Sequence, residues 1–171
     1  MVLCMQKYRR YDRRCAHFHA LSMCVQVERD MHVVRDLNLT LVAAINTHAH
    51  ADHITGTGLI KARPEWNADT AKTMISASSG AAADATFTHG DLIKFGSRFL
   101  SVRAVPGHTA GCVAFVLDDE SLVMTGDALL IRGCGRTDFQ VCCCLVCSCT
   151  LASCAILSLL LATTCPRGSG E

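Results

Sequence analysis

The segment THAHADH at residues 47–53 decides how this chain is interpreted, because it holds three of the eight histidines and an aspartate within seven positions. A hydrophobic core accommodates such a cluster only at high cost, since each imidazole needs a partner for both ring nitrogens and a buried carboxylate needs a positive charge. A bound cation is the shared partner that this composition indicates. The segment follows LTLVAAIN at 39–46, an apolar run that predicts a strand buried on both faces.

The spacing of the polar side chains within this segment also favours a binding site. His48, His50 and Asp52 alternate along the chain, so an extended backbone projects all three from the same side. His53 follows directly. These four potential ligands would converge just beyond the carboxyl end of a strand, where α/β sheets commonly build their sites.

Two later turns each present one further ligand. VPGHTAGC at 105–112 offers His108 after a Pro-Gly pair, and MTGDALL at 124–130 offers Asp127 after a glycine. Either residue alone is readily explained as a turn residue or a helix cap. Because each turn follows a predicted strand, all three ligand groups could meet along one sheet edge. The other histidines lack such a setting and are expected at the surface: His17, His19, His32 and His89.

The rest of the pattern predicts an α/β layered fold with a mixed sheet. Val27, Met31 and Val34 form the apolar stripe of an amphipathic helix, Val33 and Leu37 widen the stripe, and Asn38 can end the helix. The remaining predicted elements are a second helix over 54–62, a strand over 73–78, a hairpin over 91–105 that turns at Gly96-Ser97, and a hairpin over 112–127 that turns at 118–120.

Length and composition limit what the chain can do. Its 171 residues are about one domain, and a formal net charge of +1 gives no global electrostatic case for binding nucleic acid. Residues 1–24 form a basic lead in which we expect no clear structure, with a transit peptide as the alternative interpretation. Seven of the twelve cysteines follow residue 140 and the other five include no C-x-x-C pair, which favours a reduced compartment.

The end of the chain differs from the part before it. Residues 141–165 contain no charged side chain and are long enough to span a bilayer. Their cysteine-rich composition and the lack of an aromatic belt favour an aberrant C-terminus over a membrane anchor. We therefore divide the chain into the basic lead, a domain over 25–140 and an apolar cysteine-rich tail over 141–171. A membrane is a partner only if the tail is an anchor.

Three motifs in this order, H-x-H-x-D-H, P-G-H-T and T-G-D, resemble those of the metallo-β-lactamase superfamily. The resemblance runs from Val25 to Gln140 and implies an αββα sandwich with metals at the sheet edges, of which this chain carries mainly the N-terminal half. Within the superfamily, TGDALLIRGCGRTDFQ at 125–140 closely resembles the persulfide dioxygenases. That likeness implies oxidation of glutathione persulfide by O2 to sulfite and glutathione in mitochondrial sulfide catabolism, with a cytoplasmic location as the alternative.

The persulfide dioxygenase resemblance also implies a ligand set. A single Fe(II) ion would be held by His48, His108 and Asp127, two imidazoles and one carboxylate. Arg136 is a candidate for binding a glutathione carboxylate, and a structural salt bridge with Asp138 is an equally good interpretation. Three other polar residues would form hydrogen bonds around the site: His50, Asp52 and His53.

Two alternative functions stay open. The first is a dinuclear thioester hydrolase like glyoxalase II, in which Asp52 and His53 bind a second ion and the two ions bridge an attacking hydroxide. Such a site needs one more histidine late in the chain, and none follows His108, so ligand counting favours one iron, with zinc as the alternative metal. The second is an inactive truncated member, because the resemblance implies strands before the first helix and a second half beyond residue 140. A monomer and a homodimer are both compatible with the sequence.

Overall fold

The fold is described from a computed structural model. It covers the backbone of residues 2–6 and 16–20, and residues 27–50 and 54–137 in full. Within these ranges the elements are β1 (Val2–Gln6), β2 (Ala16–Ala20), α1 (Val27–Asp36), β3 (Thr40–Ile45), α2 (Thr57–Lys61), β4 (Lys72–Ser76), β5 (Ala85–Phe87), β6 (Leu92–Phe95), β7 (Arg98–Ala104), β8 (Val113–Leu117) and β9 (Val123–Met124). Short 3-10 helices span Ala77–Ser79 and Gly126–Ala128.

The strands form two sheets. The first has the order β2-β1-β3-β4-β5, in which β1 runs antiparallel to both of its neighbours while β3, β4 and β5 run parallel to one another. The second is an antiparallel sheet in the order β6-β7-β8-β9. A mixed sheet, an antiparallel sheet and flanking helices confirm the predicted α/β fold class.

The main hydrophobic core lies between the two sheets. The first sheet contributes Ile45 and Phe87, and the second contributes Leu100 and Phe115, all of them buried. The rings of Phe87 and Phe115 meet edge to face with their centroids 5.5 Å apart. Because a strand buried on one face cannot slip by one residue without exposing its apolar set, this packing fixes where β3 ends and where the next loop begins.

Helix α1 covers the other face of the first sheet. Val27, Met31 and Val34 are buried in one cluster with Leu41 of β3, as the apolar stripe predicts. The prediction is wrong for Leu37, which is 42% exposed because it follows the last turn of the helix. Asn38 adopts a left-handed backbone with φ of 48°, which ends the helical segment at the expected residue. The described residues thus supply a helical layer and two packed sheets.

Both predicted hairpins are present. Strands β6 and β7 pair with Phe95 opposite Arg98, and the turn between them contains Gly96 at φ of 60°. Strands β8 and β9 are joined through Glu120 at φ of 57°. The Arg98 side chain donates from Nε to Oδ1 of Asp118 over 2.7 Å, which links the two turns at the same end of the second sheet.

The expectation of no clear structure in residues 1–24 is wrong for two stretches. Strands β1 and β2 lie there, and β1 pairs with β3, so the division before residue 25 cuts through one sheet. Strands of five residues show few alternating positions, and β1 is stabilised by pairing with β3, which is remote in sequence. Neither property is visible in a local pattern.

Other element bounds also differ from the prediction. Helix α2 spans Thr57–Lys61 rather than 54–62, and β4 ends at Ser76, whose hydroxyl accepts from the Ser78 amide over 3.3 Å as the chain turns. Strand β5 has three residues and was too short to be predicted. No helix in the described ranges is long and apolar enough to cross a membrane. The predicted tail at 141–171 lies outside the described residues.

Candidate metal centre

Three loops bring two histidines and one aspartate together at one edge of the sandwich. His48 follows β3, His108 lies in the turn between β7 and β8, and Asp127 lies in the 3-10 helix after β9. One potential ligand atom from each residue lies within 4.8 Å of the others. Nε2 of His108 is 3.7 Å from Oδ2 of Asp127, and Nε2 of His48 is 4.0 Å from the same atom. One ion placed between them can therefore reach all three.

Backbone hydrogen bonds hold these loops in register. The amide of Val113, at the start of β8, donates to the carbonyl of Thr47 over 2.9 Å and ties the end of β3 to the second sheet. The amide of Val105 donates to the carbonyl of Cys112 over 2.9 Å and closes the turn that presents His108. The ligand positions are thus set largely by where the strands end.

His48 is the buried member of the group, with a side chain that is 2% exposed. Its Nδ1 lies 3.0 Å from the Thr47 hydroxyl, which can accept the Nδ1 proton, whereas Nε2 finds no hydrogen-bond partner among the described residues. Burial, and then the neighbouring His50, lowers the pKa of His48 from 6.5 to about 4. The imidazole is therefore neutral at neutral pH, the form that coordinates metals.

His108 is held by the backbone of a later segment. Its Nδ1 lies 2.6 Å from the carbonyl oxygen of Arg136. A carbonyl can only accept, so Nδ1 carries a proton and Nε2 is the ring nitrogen directed towards Asp127. Metal-ligating histidines commonly use the second ring nitrogen in this way.

A glycine makes room for the partner of His48. Gly126 has φ of 54°, and a Cβ atom added there would lie 2.5 Å from the Thr47 hydroxyl oxygen. Glycine adopts this left-handed backbone without strain and leaves space for the threonine. The T-G-D motif therefore supplies both a candidate ligand, Asp127, and the space that the Thr47 side chain occupies.

Other residues predicted for the site are placed differently. His50 is half-buried, and its ring centroid lies 4.1 Å from that of His48, outside the group of three. Asp52 and His53 lie outside the described residues. The Arg136 side chain is exposed, and Asp138, its suggested partner, also lies outside the described part of the chain.

The remaining histidines fit the surface prediction where their side chains are described. His32 and His89 are exposed, and Nδ1 of His89 accepts from the Ala104 amide over 3.1 Å. The structure gives only the backbone at His17 and His19.

A cleft of about 570 Å³ opens beside the first motif. His48 and His50 line one part of it, and Asn46 and Thr57 form a polar wall in which the Asn46 amide donates to the Thr57 hydroxyl over 3.1 Å. Lys61 and Asp84 form an ion pair in the lining. The sequence motifs did not indicate these wall residues, because their polar groups meet only when α2 packs beside β3 and β4.

The donor set suits a divalent transition metal. Two imidazole nitrogens and one carboxylate oxygen converge, and the buried Nε2 of His48 has no hydrogen-bond partner among the described residues. Leaving such an atom without a partner costs free energy, so a bound ion would relieve the cost. Two imidazoles and a carboxylate on one side of a metal leave further coordination positions open.

Comparisons with known proteins identify the family of the chain. The family model for the metallo-beta-lactamase superfamily matches residues 25–145. The mitochondrial persulfide dioxygenase ETHE1 of Mus musculus is 54% identical over 115 residues, which cover 67% of this chain and 44% of that protein, and ETHE1 of Homo sapiens gives the same values. A hydroxyacylglutathione hydrolase of Cereibacter sphaeroides is 35% identical over 106 residues, or 62% of this chain and 41% of that protein. The chain spans less than half the length of these curated relatives.

Two solved structures have a fold similar to that of this chain. The crystal structure of ETHE1 from Myxococcus xanthus superposes with a TM-score of 0.63 at 37% sequence identity, and the match covers 80% of this chain and 57% of that one. A metallo-beta-lactamase from Staphylococcus aureus superposes with a TM-score of 0.62 over 76% of this chain and 41% of the other. At 23% identity the second likeness bears on the fold alone.

Proposed function

The chain belongs to the metallo-β-lactamase superfamily, and we propose that it acts as an iron-dependent persulfide dioxygenase. The substrate in this proposal is glutathione persulfide, which O2 and water convert to glutathione and sulfite. The observation that carries the proposal is the convergence of His48, His108 and Asp127, in a chain 54% identical to persulfide dioxygenases over the matched region. Those relatives are named mitochondrial, and we extend that location to this chain as part of the proposal.

The proposed iron ligands are the Nε2 atoms of His48 and His108 and a carboxylate oxygen of Asp127. When bound, Fe(II) would supply adjacent coordination positions for the terminal persulfide sulfur and O2. Zinc, the alternative metal, has no redox chemistry and fits a hydrolase instead. The low pKa of His48 presents that ring as a neutral donor, and the contact of His108 Nδ1 with the Arg136 carbonyl leaves Nε2 as the ring atom available to the ion.

The chain's own residues have three tasks in this reaction. Burial of His48 keeps water from one side of the ligand group, whereas Asp127, with 40% of its side chain exposed, faces the open side by which substrate can arrive. Arg136 is the candidate for binding a glutathione carboxylate, because its guanidinium is exposed and its carbonyl contacts His108. His50, with Asp52 and His53, would form hydrogen bonds around the site.

The reaction balances with the named reactants alone. The sulfur–sulfur bond of the persulfide breaks, and the terminal sulfur gains three oxygen atoms, two from O2 and one from water. That sulfur is oxidised and O2 is reduced. Glutathione thiol, sulfite and two protons are the products, so no further electron donor is needed.

A thioester hydrolase is the second candidate. The observation that favours it is the 35–39% identity to several hydroxyacylglutathione hydrolases over much of the same region. In that case Asp52 and His53 would hold a second ion, and a hydroxide between the ions would attack the thioester. A third outcome is a chain that binds metal and catalyses neither reaction, as expected of an inactive family member.

The decisive experiment compares the two reactions on one protein preparation. The full chain is loaded with Fe(II) without oxygen, and oxygen uptake with glutathione persulfide is measured beside hydrolysis of S-lactoylglutathione. We expect oxygen uptake coupled to sulfite release, and loss of both when Asp127 is replaced by Ala. Hydrolysis without oxygen uptake would favour the second candidate, and a metal-loaded protein inactive in both assays would contradict both.

A further inference from the structure

We propose that Gly135 and Arg136 form a backbone clasp that positions two of the proposed metal ligands, His108 and Asp127. This inference deepens the proposed function and rests on the metal site described above. The sequence indicates only a role for the guanidinium of Arg136, as a candidate for binding a glutathione carboxylate. In the structure, main-chain atoms of the stretch contact the two ligand residues.

Two consecutive residues make the two contacts of the clasp. The amide of Gly135 donates to the carbonyl of Asp127 over 2.6 Å. The carbonyl of Arg136 accepts from Nδ1 of His108 over 2.6 Å. His108 comes from the β7–β8 turn and Asp127 from the segment after β9, so the clasp adds main-chain hydrogen bonds to two loops that already pack together through Cys112 and Ala128.

Only glycine fits at the centre of the clasp. A Cβ atom added to Gly135 would lie 2.7 Å from Cγ and Nδ1 of the His108 ring and 2.9 Å from Cβ of Asp127. Side-chain atoms do not approach so closely, so any larger residue would push the two ligands away from the backbone that holds them. Gly133, two positions earlier, has no described heavy atom within 4 Å of its added Cβ.

The clasp also determines which nitrogen of His108 is available. Because the Arg136 carbonyl can only accept, the ring must carry its proton on Nδ1, and Nε2 must be the ligand atom. Outer partners of metal-bound histidines typically change metal affinity by about 10–100-fold when they are lost. The clasp is therefore a positioning device, and it acts through His108 and Asp127 without touching substrate.

The test replaces each of the two glycines by alanine in the full chain. Gly135→Ala places a methyl group against both ligands, whereas Gly133→Ala, the matched control, adds a methyl group in open space within the same segment. Affinity for Co(II) is measured by competition with a chelator, and the visible spectrum of the Co(II) form reports ligand geometry. We expect about 10–100-fold weaker binding and a changed spectrum for Gly135→Ala only.

A third variant separates the backbone from the side chain. Arg136→Ala keeps the carbonyl that contacts His108 and removes the guanidinium, so its Co(II) affinity and spectrum should match those of the unmodified chain. If Gly135→Ala folds and binds Co(II) as tightly as the unmodified chain, the clasp is wrong while the proposed metal site stands. If the unmodified chain binds no metal, the proposed function itself fails.

A measurement on the unmodified chain decides the matter even if Gly135→Ala does not fold. Nitrogen-15 chemical shifts of the His108 ring in the metal-free protein distinguish a protonated Nδ1 from a protonated Nε2. The clasp requires the proton on Nδ1. A ring whose only proton is on Nε2 would overturn the clasp, because Nδ1 would then have no hydrogen to donate to the Arg136 carbonyl.

Discussion

The two histidines of the proposed site are held in different ways. His48 and Thr47, directly after β3, form the inner wall of the site. The His48 side chain is 2% exposed, and its ring contacts the side-chain hydroxyl of Thr47. His108 and Arg136 form the outer wall of the site. The His108 side chain is 12% exposed, and its ring contacts the main-chain carbonyl of Arg136. The core of the sandwich fixes the inner ligand, whereas a loop closing over the edge fixes the outer one. Changes to the inner wall should therefore affect folding and metal binding together, and changes to the outer wall should affect mainly metal and substrate binding.

The largest expected effect comes from removing the inner ligand. Replacing His48 by Ala removes one of the three donors and leaves only His108 and Asp127 in the group, so saturable Fe(II) binding should be lost. His32→Ala, which removes an exposed imidazole from α1, is the control and should bind Fe(II) normally. The measurement is iron retained after desalting under anaerobic conditions. Full retention by His48→Ala would remove His48 from the ligand set.

The pH dependence of stability should also come from the inner wall. Burial lowers the pKa of His48 to about 4 from 6.5. Between pH 6.5 and pH 4, His48 is therefore protonated in the unfolded chain and neutral in the folded chain. The free energy of unfolding of the metal-free protein should therefore fall as the pH drops from about 6.5 towards about 4. The contribution of this group is up to about 3 kcal/mol, and no more is lost at lower pH.

Urea unfolding at several pH values tests the predicted dependence of the free energy of unfolding on pH. The comparison is between the unmodified chain and His48→Asn, in which the titrating group is absent while a polar side chain remains. The difference between the two curves isolates the contribution of His48 from that of the other titrating groups. Parallel curves between pH 4 and 6.5 would show that the folded chain accepts the proton.

A smaller effect is expected from the partner of His48. Thr47→Val keeps the shape of the side chain but leaves Nδ1 of His48 without its hydroxyl partner, which should lower the free energy of unfolding by about 1–3 kcal/mol. Metal affinity should fall as well, since the ring loses its orienting contact. Thr47→Ser retains the hydroxyl and should restore both properties. Equal behaviour of the two variants would show that the hydroxyl has no part in holding the ring.

The smallest effect is expected from the exposed side chain of the outer wall. Arg136→Ala should raise the KM for glutathione persulfide by up to about fivefold at unchanged kcat, because exposed ionic contacts contribute about 0.2–1 kcal/mol. Arg132→Ala, a nearby exposed arginine, is the matched control. A fall in kcat with constant KM would place the guanidinium closer to the reacting atoms than proposed.

The difference between the walls also explains what the sequence could predict. His48, His108 and Asp127 each follow a strand-forming pattern and stand in short motifs, so their meeting at one edge could be expected. The core stripe of α1 and both hairpins were readable for the same reason, because local periodicity specifies them. These features depend on side-chain identity at fixed spacing.

Features that depend on main chain or on remote partners could not be read in this way. The clasp uses a backbone amide and a backbone carbonyl, and every residue except proline provides both groups. The residue types at positions 135 and 136 therefore do not reveal the contacts with Asp127 and His108. Gly135 was the one available signal, since a glycine beside a ligand motif often marks a close approach of the backbone. Strands β1, β2 and β5 were missed because they have three to five residues, and because β1 is stabilised by pairing with β3, which lies far along the chain.

The most direct test of the account is the number of metal ions that the intact chain binds. The full chain is titrated with Fe(II) under anaerobic conditions, and bound iron per chain is determined by elemental analysis, with Asp127→Ala measured in parallel. A single site held by His48, His108 and Asp127 predicts one equivalent for the unmodified chain and none for the variant. Two equivalents, or one equivalent that survives the loss of Asp127, would contradict it.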